Sequence, residues 1–161
     1  MNALSVRTAS VEDAPGIAHV HIVAWQETYA RLVEPGELDD LPLDERIARW
    51  QTTLSGGVTR AWVAETDDRI VGFATAAPRP DPDAPGPIEL EAMYLLAEFH
   101  GSGAGQLLLD AALGDSPAFL SVAADNPRAI RFYERNGFTF DGVVDSHPLV
   151  RTPVATARMV R

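Results

Sequence analysis

The chain has 161 residues, one domain's worth on a scale of roughly 100–200 residues per domain, and its 46% apolar content argues against disorder. Thirteen basic residues against 23 acidic ones give a net charge of −10 and a pI near 4.7, which speaks against nucleic-acid binding and is compatible with a cationic small-molecule partner. The absence of cysteine excludes disulfides, zinc–thiolate sites and a thiol nucleophile. No signal pattern opens the sequence and no apolar run approaches the ~18 residues of a membrane span, so a soluble, cytoplasmic chain with no membrane partner is expected.

Residues 3–8 read as a strand, and Ser10 with Asp13 resembles a capping box at the start of a helix. Ala18, Ile22, Trp25 and Tyr29 recur at helical spacing, carrying an apolar face to about Leu32. Residues 33–42, with two prolines, a glycine and four acids, read as a loop, and residues 44–54 as a second helix stopped by Ser55-Gly56-Gly57. The period then changes to that of strands. Residues 60–65 and 70–76 form a predicted hairpin about the turn at 66–69, and the proline-rich 78–87 can only be loop. A strand at 88–95 runs into a glycine-rich turn and a helix over 104–113. A strand at 118–123, a helix at 127–136 and strands at 139–144 and 154–160 complete the chain. Strands and helices alternate without repeats or long linkers, so residues 1–161 are expected to make one α/β domain.

Two segments carry the chemistry. In the first, the strand Ile88-Glu-Leu-Glu-Ala-Met-Tyr-Leu95 precedes His100-Gly-Ser-Gly-Ala-Gly105 and a helix. Glycines admit an anion close to the backbone, and a helix start supplies free N–H groups with partial positive charge. That pattern suits a pyrophosphate cradle made of amides; taken alone, a plain flexible turn is the better reading. In the second, Asn126-Pro127 caps a helix that places Ala129, Phe132 and Tyr133 inward, leaves Arg128, Arg131, Glu134 and Arg135 to solvent, and ends at Gly137. Taken singly, Asn126 is a cap and Tyr133 a core aromatic.

Together the two segments resemble the acetyl-coenzyme A (acetyl-CoA)–binding region of the GNAT superfamily of N-acetyltransferases. The family's Gln/Arg-x-x-Gly-x-Gly/Ala loop corresponds to His100, Gly101, Ser102, Gly103, Ala104 and Gly105. Its Asn-x-x-Ala-x-x-Phe-Tyr-x-x-x-Gly-Phe helix corresponds to Asn126, Ala129, Phe132, Tyr133, Gly137 and Phe138. The N-terminal half, with His21, Trp25, Tyr29 and Trp50, is similar to a bacterial GNAT subgroup of mostly unassigned substrate. The chain departs from the family at His100, which replaces a longer Gln or Arg, and at 156–161, which lack the aromatic that often ends the subgroup.

The resemblance implies the GNAT fold, a mixed central sheet of about seven strands flanked by about four helices, and transfer of an acetyl group from acetyl-CoA to a primary amine by direct attack in a ternary complex. It implies that the main chain of Met93, Tyr94 and Leu95 pairs with the pantetheine arm, that the Leu95 N–H polarises the thioester carbonyl, and that the amides of residues 100–105 hold the pyrophosphate beside Asn126. A preorganised oxyanion donor is typically worth ~3 kcal/mol of barrier. Tyr133 matches the family's general acid. A free alkyl amine has a pKa of ~10, so a base is needed, directly or through water. Glu89 matches the catalytic glutamate of GNAT histone acetyltransferases, Glu91 shares its strand face by the two-residue period, and the plain alternative for each is a solvated face or a salt bridge. His21, Trp25 and Tyr29 at i, i+4 and i+8 read as an acceptor-pocket wall or as helix packing, and Glu34, Glu37, Asp39 and Asp40 near the pocket mouth hint at a cationic acceptor, the plain alternative being a soluble acidic loop. His19 and His21 diverge on a helix, and His147 lies in a Pro-containing loop, so no metal is expected. A homodimer through the C-terminal strands is a further implication of the resemblance.

Two rivals remain. A strand, a Gly-x-Gly turn, a helix and a strand ending near Asp125 imitate a dinucleotide fingerprint, but Gln106 occupies the third glycine's place and too little chain follows for a doubly wound sheet. A non-catalytic acetyl-CoA sensor would share every binding feature.

Overall fold

A computed structural model describes residues 3–161. Strand β1 (Ser5–Thr8) turns through a short 3-10 segment (Val11–Asp13) into helix α1 (Ala14–Tyr29). The turn is held by the Ser10 N–H, which donates to Asp13 Oδ2 at 2.8 Å, and Arg7 grips the same carboxylate at 2.8 and 2.9 Å. Helix α1 buries Ile17, Val20 and Ala24 at i, i+3 and i+7; a large apolar side chain so buried contributes roughly 1.5–3 kcal/mol. A 3-10 turn (Ala30–Leu32) ends it, and helix α2 (Leu43–Ser55) packs back on α1.

Strands β2 (Arg60–Thr66) and β3 (Arg69–Pro78) form the predicted hairpin, its two turn residues Asp67 and Asp68 both at positive φ, as a two-residue turn of that hand requires. Strand β4 (Ile88–Leu95), helix α3 (Ala104–Leu113), strand β5 (Phe119–Ala123), helix α4 (Pro127–Arg135) and strands β6 (Thr139–Pro148) and β7 (Pro153–Val160) follow. The seven strands make one sheet in the order β1-β2-β3-β4-β5-β7-β6, antiparallel everywhere except between β4 and β5. This is the mixed seven-stranded, four-helix architecture expected.

Both faces of the sheet are covered at its centre. Phe73 meets His21 and Trp50 from α1 and α2, whereas its neighbour Gly72 faces Leu108 of α3. Successive strand residues point to opposite faces, so α1 and α2 lie on one side and α3 on the other. Residues 71–77 of β3 are accordingly buried without interruption, the pattern of a strand with no solvent face.

The C-terminal hairpin extends further than the sequence suggests. The Leu149 N–H donates to the Thr152 carbonyl at 3.1 Å, confining the turn to 149–152 and drawing His147 and Pro148 into register with Val154 and Pro153. His147 is thus in a strand rather than a loop. A proline is tolerated there because it ends an edge strand and no ladder bond needs its missing N–H.

Gly72 of β3 has no room for a side chain against β4: an added Cβ would lie 2.7 Å from Leu95 Cδ1 and 3.0 Å from the Tyr94 carbonyl oxygen. Gly72→Ala is expected to destabilise the chain by about 1–3 kcal/mol through overpacking, read as a lower urea midpoint at unchanged slope. A wild-type midpoint would show that Leu95 can move aside.

Candidate active site

Strands β4 and β5 are in register at a single pair, Glu89 with Phe119, and part beyond it. Near the parting, β4 carries a bulge at Glu91, which is skipped between the pairs Thr75–Ala92 and Ala76–Leu90. The Leu96 N–H donates to the Val71 carbonyl on β3 at 3.0 Å. Backbone groups alternate in direction along an antiparallel strand, so Leu95 and Met93 turn their N–H and C=O groups the other way, into the gap. A cavity of about 520 Å³ fills that gap, walled by residues 90–95 of β4, 120–123 of β5, the glycine loop and α4.

The glycine loop presents amides to this cavity. Gly101 and Gly103 have φ of +80° and +93°, values open to glycine without strain. The His100 N–H is taken by Ala97 O, the Ser102 N–H by Phe99 O and the Ala104 N–H by Ser102 Oγ. The first α3 backbone bond that reaches back to the loop runs from the Leu107 N–H to Gly103 O. The amides of Gly101, Gly103, Gly105 and Gln106 therefore remain without a protein acceptor, and all four residues line the cavity. Gln106 is absent from the sequence-predicted set. Ser102 and Ala104, which are in that set, do not line the cavity and serve the loop instead. Four free donors at the positive end of a helix fit a diphosphate.

Asn126 caps α4 by accepting from the Ala129 N–H at 3.3 Å, and its residue lines the cavity as well. Tyr133 lines it from α4, is 7% exposed, and has no hydrogen-bond partner in the protein for its hydroxyl. Burial holds the Tyr133 phenol above its ordinary pKa, with Tyr29 adding to the rise and Arg128 opposing it, so the hydroxyl keeps its proton. His100 Nε2 donates to the Leu95 carbonyl at 3.2 Å, since a carbonyl can only accept. Burial and then the nearby Arg128 charge lower its pKa, keeping the ring neutral.

On the α1 side, Tyr29 and Tyr94 both line the cavity with their hydroxyls 3.4 Å apart, and burial raises both phenols. His21 and Trp25 do not line it. They sit in an aromatic cluster, with His21 ring centroids 4.9 Å from Trp25, 5.7 Å from Trp50 and 5.4 Å from Tyr94. Arg46 lies 4.6 Å over the Trp25 ring and donates from Nη1 to His21 Nδ1 at 3.3 Å. A guanidinium only donates, so Nδ1 is the bare nitrogen; burial, helped by the Arg46 charge, pushes the His21 pKa down to about 3.

The two glutamates of β4 share one cation. Arg79 donates to Glu89 Oε2 at 2.6 Å and to Glu91 Oε2 at 3.0 Å, and Thr59 Oγ1 donates to Glu91 Oε1 at 3.0 Å. Of the two, Glu91 lines the cavity and Glu89 does not. Arg128, Arg131 and Arg135, which the helical pattern assigns to solvent, line it too. They are exposed as expected; what the pattern lacks is that this outer face of α4 borders the gap between β4 and β5.

The Acetyltransferase (GNAT) family model matches residues 19–138. The chain belongs to the GNAT family. It is 33% identical over 138 residues to the uncharacterized N-acetyltransferase YuaI of Bacillus subtilis, covering 81% of this chain and 78% of the relative. In fold it is similar to the PaiA N-acetyltransferase of Thermoplasma acidophilum in complex with coenzyme A, with TM-score 0.70, 20% identity and coverage of 96% and 98% of the two chains. A ribosomal-protein-alanine N-acetyltransferase of Brucella melitensis superposes with TM-score 0.72 at 22% identity, covering 98% of each chain.

One acidic residue of this GNAT chain's 33–42 loop has a different task from the one its charge suggests. Glu37 is 6% exposed and accepts from the Arg151 N–H at 2.5 Å, the Thr152 N–H at 2.8 Å and Thr152 Oγ1 at 2.6 Å. It straps the loop after α1 to the β6–β7 turn and is not free to meet a cationic ligand. Those bonds, led by the Thr152 hydroxyl, hold its carboxyl at a pKa of about 2 against an ordinary 4.5. Because the folded pKa is depressed, the strap's stabilisation is complete above the ordinary value and is lost as pH falls from 4.5 towards about 2. Glu37→Gln is therefore expected to unfold at a lower temperature than wild type at pH 7, with the two melting curves converging as pH approaches 2. A constant gap across that range would remove the strap's pH dependence.

Proposed function

We propose that this GNAT chain transfers an acetyl group from acetyl-CoA to a primary amine of a small molecule or peptide, by direct attack within a ternary complex. The observation that carries the reading is the gap between β4 and β5. Backbone donors of Leu95 and of the glycine loop open onto it, and so does a buried tyrosine hydroxyl without a partner. The coenzyme A complex of the similar fold supports the same ligand class.

In this reading Gly101, Gly103, Gly105 and Gln106 hold the diphosphate, while Met93 and Leu95 pair with the amide-bearing pantetheine arm as a further strand would. The Leu95 N–H donates to the thioester carbonyl oxygen as that oxygen takes up charge. His100, bonded to the Leu95 carbonyl, holds the adjoining Leu95–Leu96 peptide in place. Tyr133 donates its proton to the departing thiolate. Burial that raises the phenol raises the proton affinity of a thiolate in the same pocket too, so donation stays balanced. Tyr29 and Tyr94, protonated and apolar-bodied, form the wall against which the amine is placed, with His21 and Trp25 packing behind them. Glu91, the one acidic side chain among the lining residues, takes the amine proton through water, and Glu89 holds Arg79 beside it.

Calorimetric titration with acetyl-CoA is expected to show micromolar binding, with no heat from NADH. Absence of acetyl-CoA binding would overturn the reading. In an amine-library assay for released thiol, Tyr133→Phe should lower kcat by about 10²–10⁴-fold, the usual range for a general acid, with acetyl-CoA affinity unchanged. Wild-type binding without turnover of any amine would instead favour a sensor. Glu91→Gln should lower kcat by about 10²-fold and Glu89→Gln by less; the reverse order would move the base to Glu89.

A further inference from the structure

We infer that Arg131 and Arg135 form a phosphomonoester subsite that reads the ribose 3′-phosphate of CoA and makes the chain discriminate CoA from 3′-dephospho-CoA. The inference rests on the acetyl-CoA reading and extends it to a group that the amide cradle does not reach.

The chain is acidic overall, and five of its thirteen arginines are neutralised by a neighbouring carboxylate. Arg7, Arg31, Arg69, Arg79 and Arg158 each hold a carboxylate within 3.0 Å. Among the described residues, Arg128, Arg131 and Arg135 are three of the eight arginines with no carboxylate within 4.0 Å, and the three of those eight that border the gap between β4 and β5. All three line the cavity. At i, i+3 and i+7 they occupy one stripe of α4, spanning about 10 Å along the helix axis.

Their surroundings order them along the cavity. Arg128, at the start of the helix, is close enough to His100 and Tyr133 to shift both their pKa values, which puts it at the reacting end. Arg135, at the far end, has its guanidinium carbon 5.9 Å from the centre of the Phe132 ring, and that ring packs against Gly105 of the amide cradle. Arg131 and Arg135 therefore stand exposed on the cradle side of the cavity, away from the reacting end. CoA carries its remaining phosphate on that side, as a monoester with about two negative charges at neutral pH. Planar guanidinium forks are suited to such a group, and the cradle cannot serve it because its four free amides face the diphosphate.

The test is calorimetric titration of the whole chain with CoA and, separately, with 3′-dephospho-CoA. Wild type is expected to bind CoA at least about tenfold more tightly, the scale of one charge-assisted contact. Arg131→Ala and Arg135→Ala should each remove most of that preference by weakening CoA alone, and Arg131→Lys should restore part of it. Arg49→Ala, which deletes the same charge on α2 away from the cavity, should leave both affinities in place. Since the substituted side chains are exposed, melting temperatures should match wild type.

Equal wild-type affinity for the two ligands would overturn the inference while leaving the acetyl-CoA reading intact. So would arginine variants that weaken both ligands alike, because the stripe would then serve the diphosphate. Binding of neither ligand by wild type would overturn the acetyl-CoA reading itself, and this inference with it.

Discussion

The parting of β4 from β5 is the constraint on which the rest of the site depends. A parallel pair left with one registered position exposes backbone donors and acceptors along both strands, and buried groups of that kind are costly unless something meets them. Covering the gap with more sheet would satisfy the backbone and remove the cavity. This chain instead braces each strand from its outer side: β4 against β3 over most of its length, and β5 against β7 along all five of its residues. Each half of the divided sheet is thus paired independently of the gap.

Chemistry at the gap then follows from what the chain puts at its rim. The glycine loop places donors at the positive end of α3, and α4 brings a buried phenol and a stripe of cations to the facing wall. Low dielectric keeps Tyr29, Tyr94 and Tyr133 protonated and His21 and His100 neutral. Fixed positive charge along the cavity therefore comes from arginines and helix ends, not from titrating histidines. Such a site favours an anionic ligand along its arginine-lined wall.

The α1 side of the cavity is built from a different material. Its wall is aromatic, and the loop above it is tied down by Glu37 and by Arg31, which pairs with Asp125 at 2.8 Å and also donates to the Asp125 carbonyl. Arg31 and Asp125 are both well exposed, so that pair contributes no more than about 1 kcal/mol. The buried, fully bonded Glu37 is the stronger tie. Both link the segment after α1 to the parts of the chain that follow β5, so that segment is held by long-range contacts.

Local chain chemistry was enough for much of this. Residue periods marked the helices and the β2–β3 hairpin, Asn126-Pro127 marked the start of α4, and the two spaced motifs marked one edge of the cavity, because each depends on neighbours within a few positions. Errors arose where a residue's role depends on a distant partner. His147 joined a strand because Val154 pairs with it. Glu37 became a buried strap because residues 151 and 152 come to it. Glu91 and Glu89 look equivalent in a strand pattern, yet a bulge and a shared arginine give them different positions relative to the cavity. The stripe of arginines on α4 reads as solvent-exposed in any helical projection, and it is exposed. Only the tertiary structure shows that the solvent beside it fills the gap between β4 and β5, since periodicity reports which face of a helix is polar and carries nothing about what lies opposite that face.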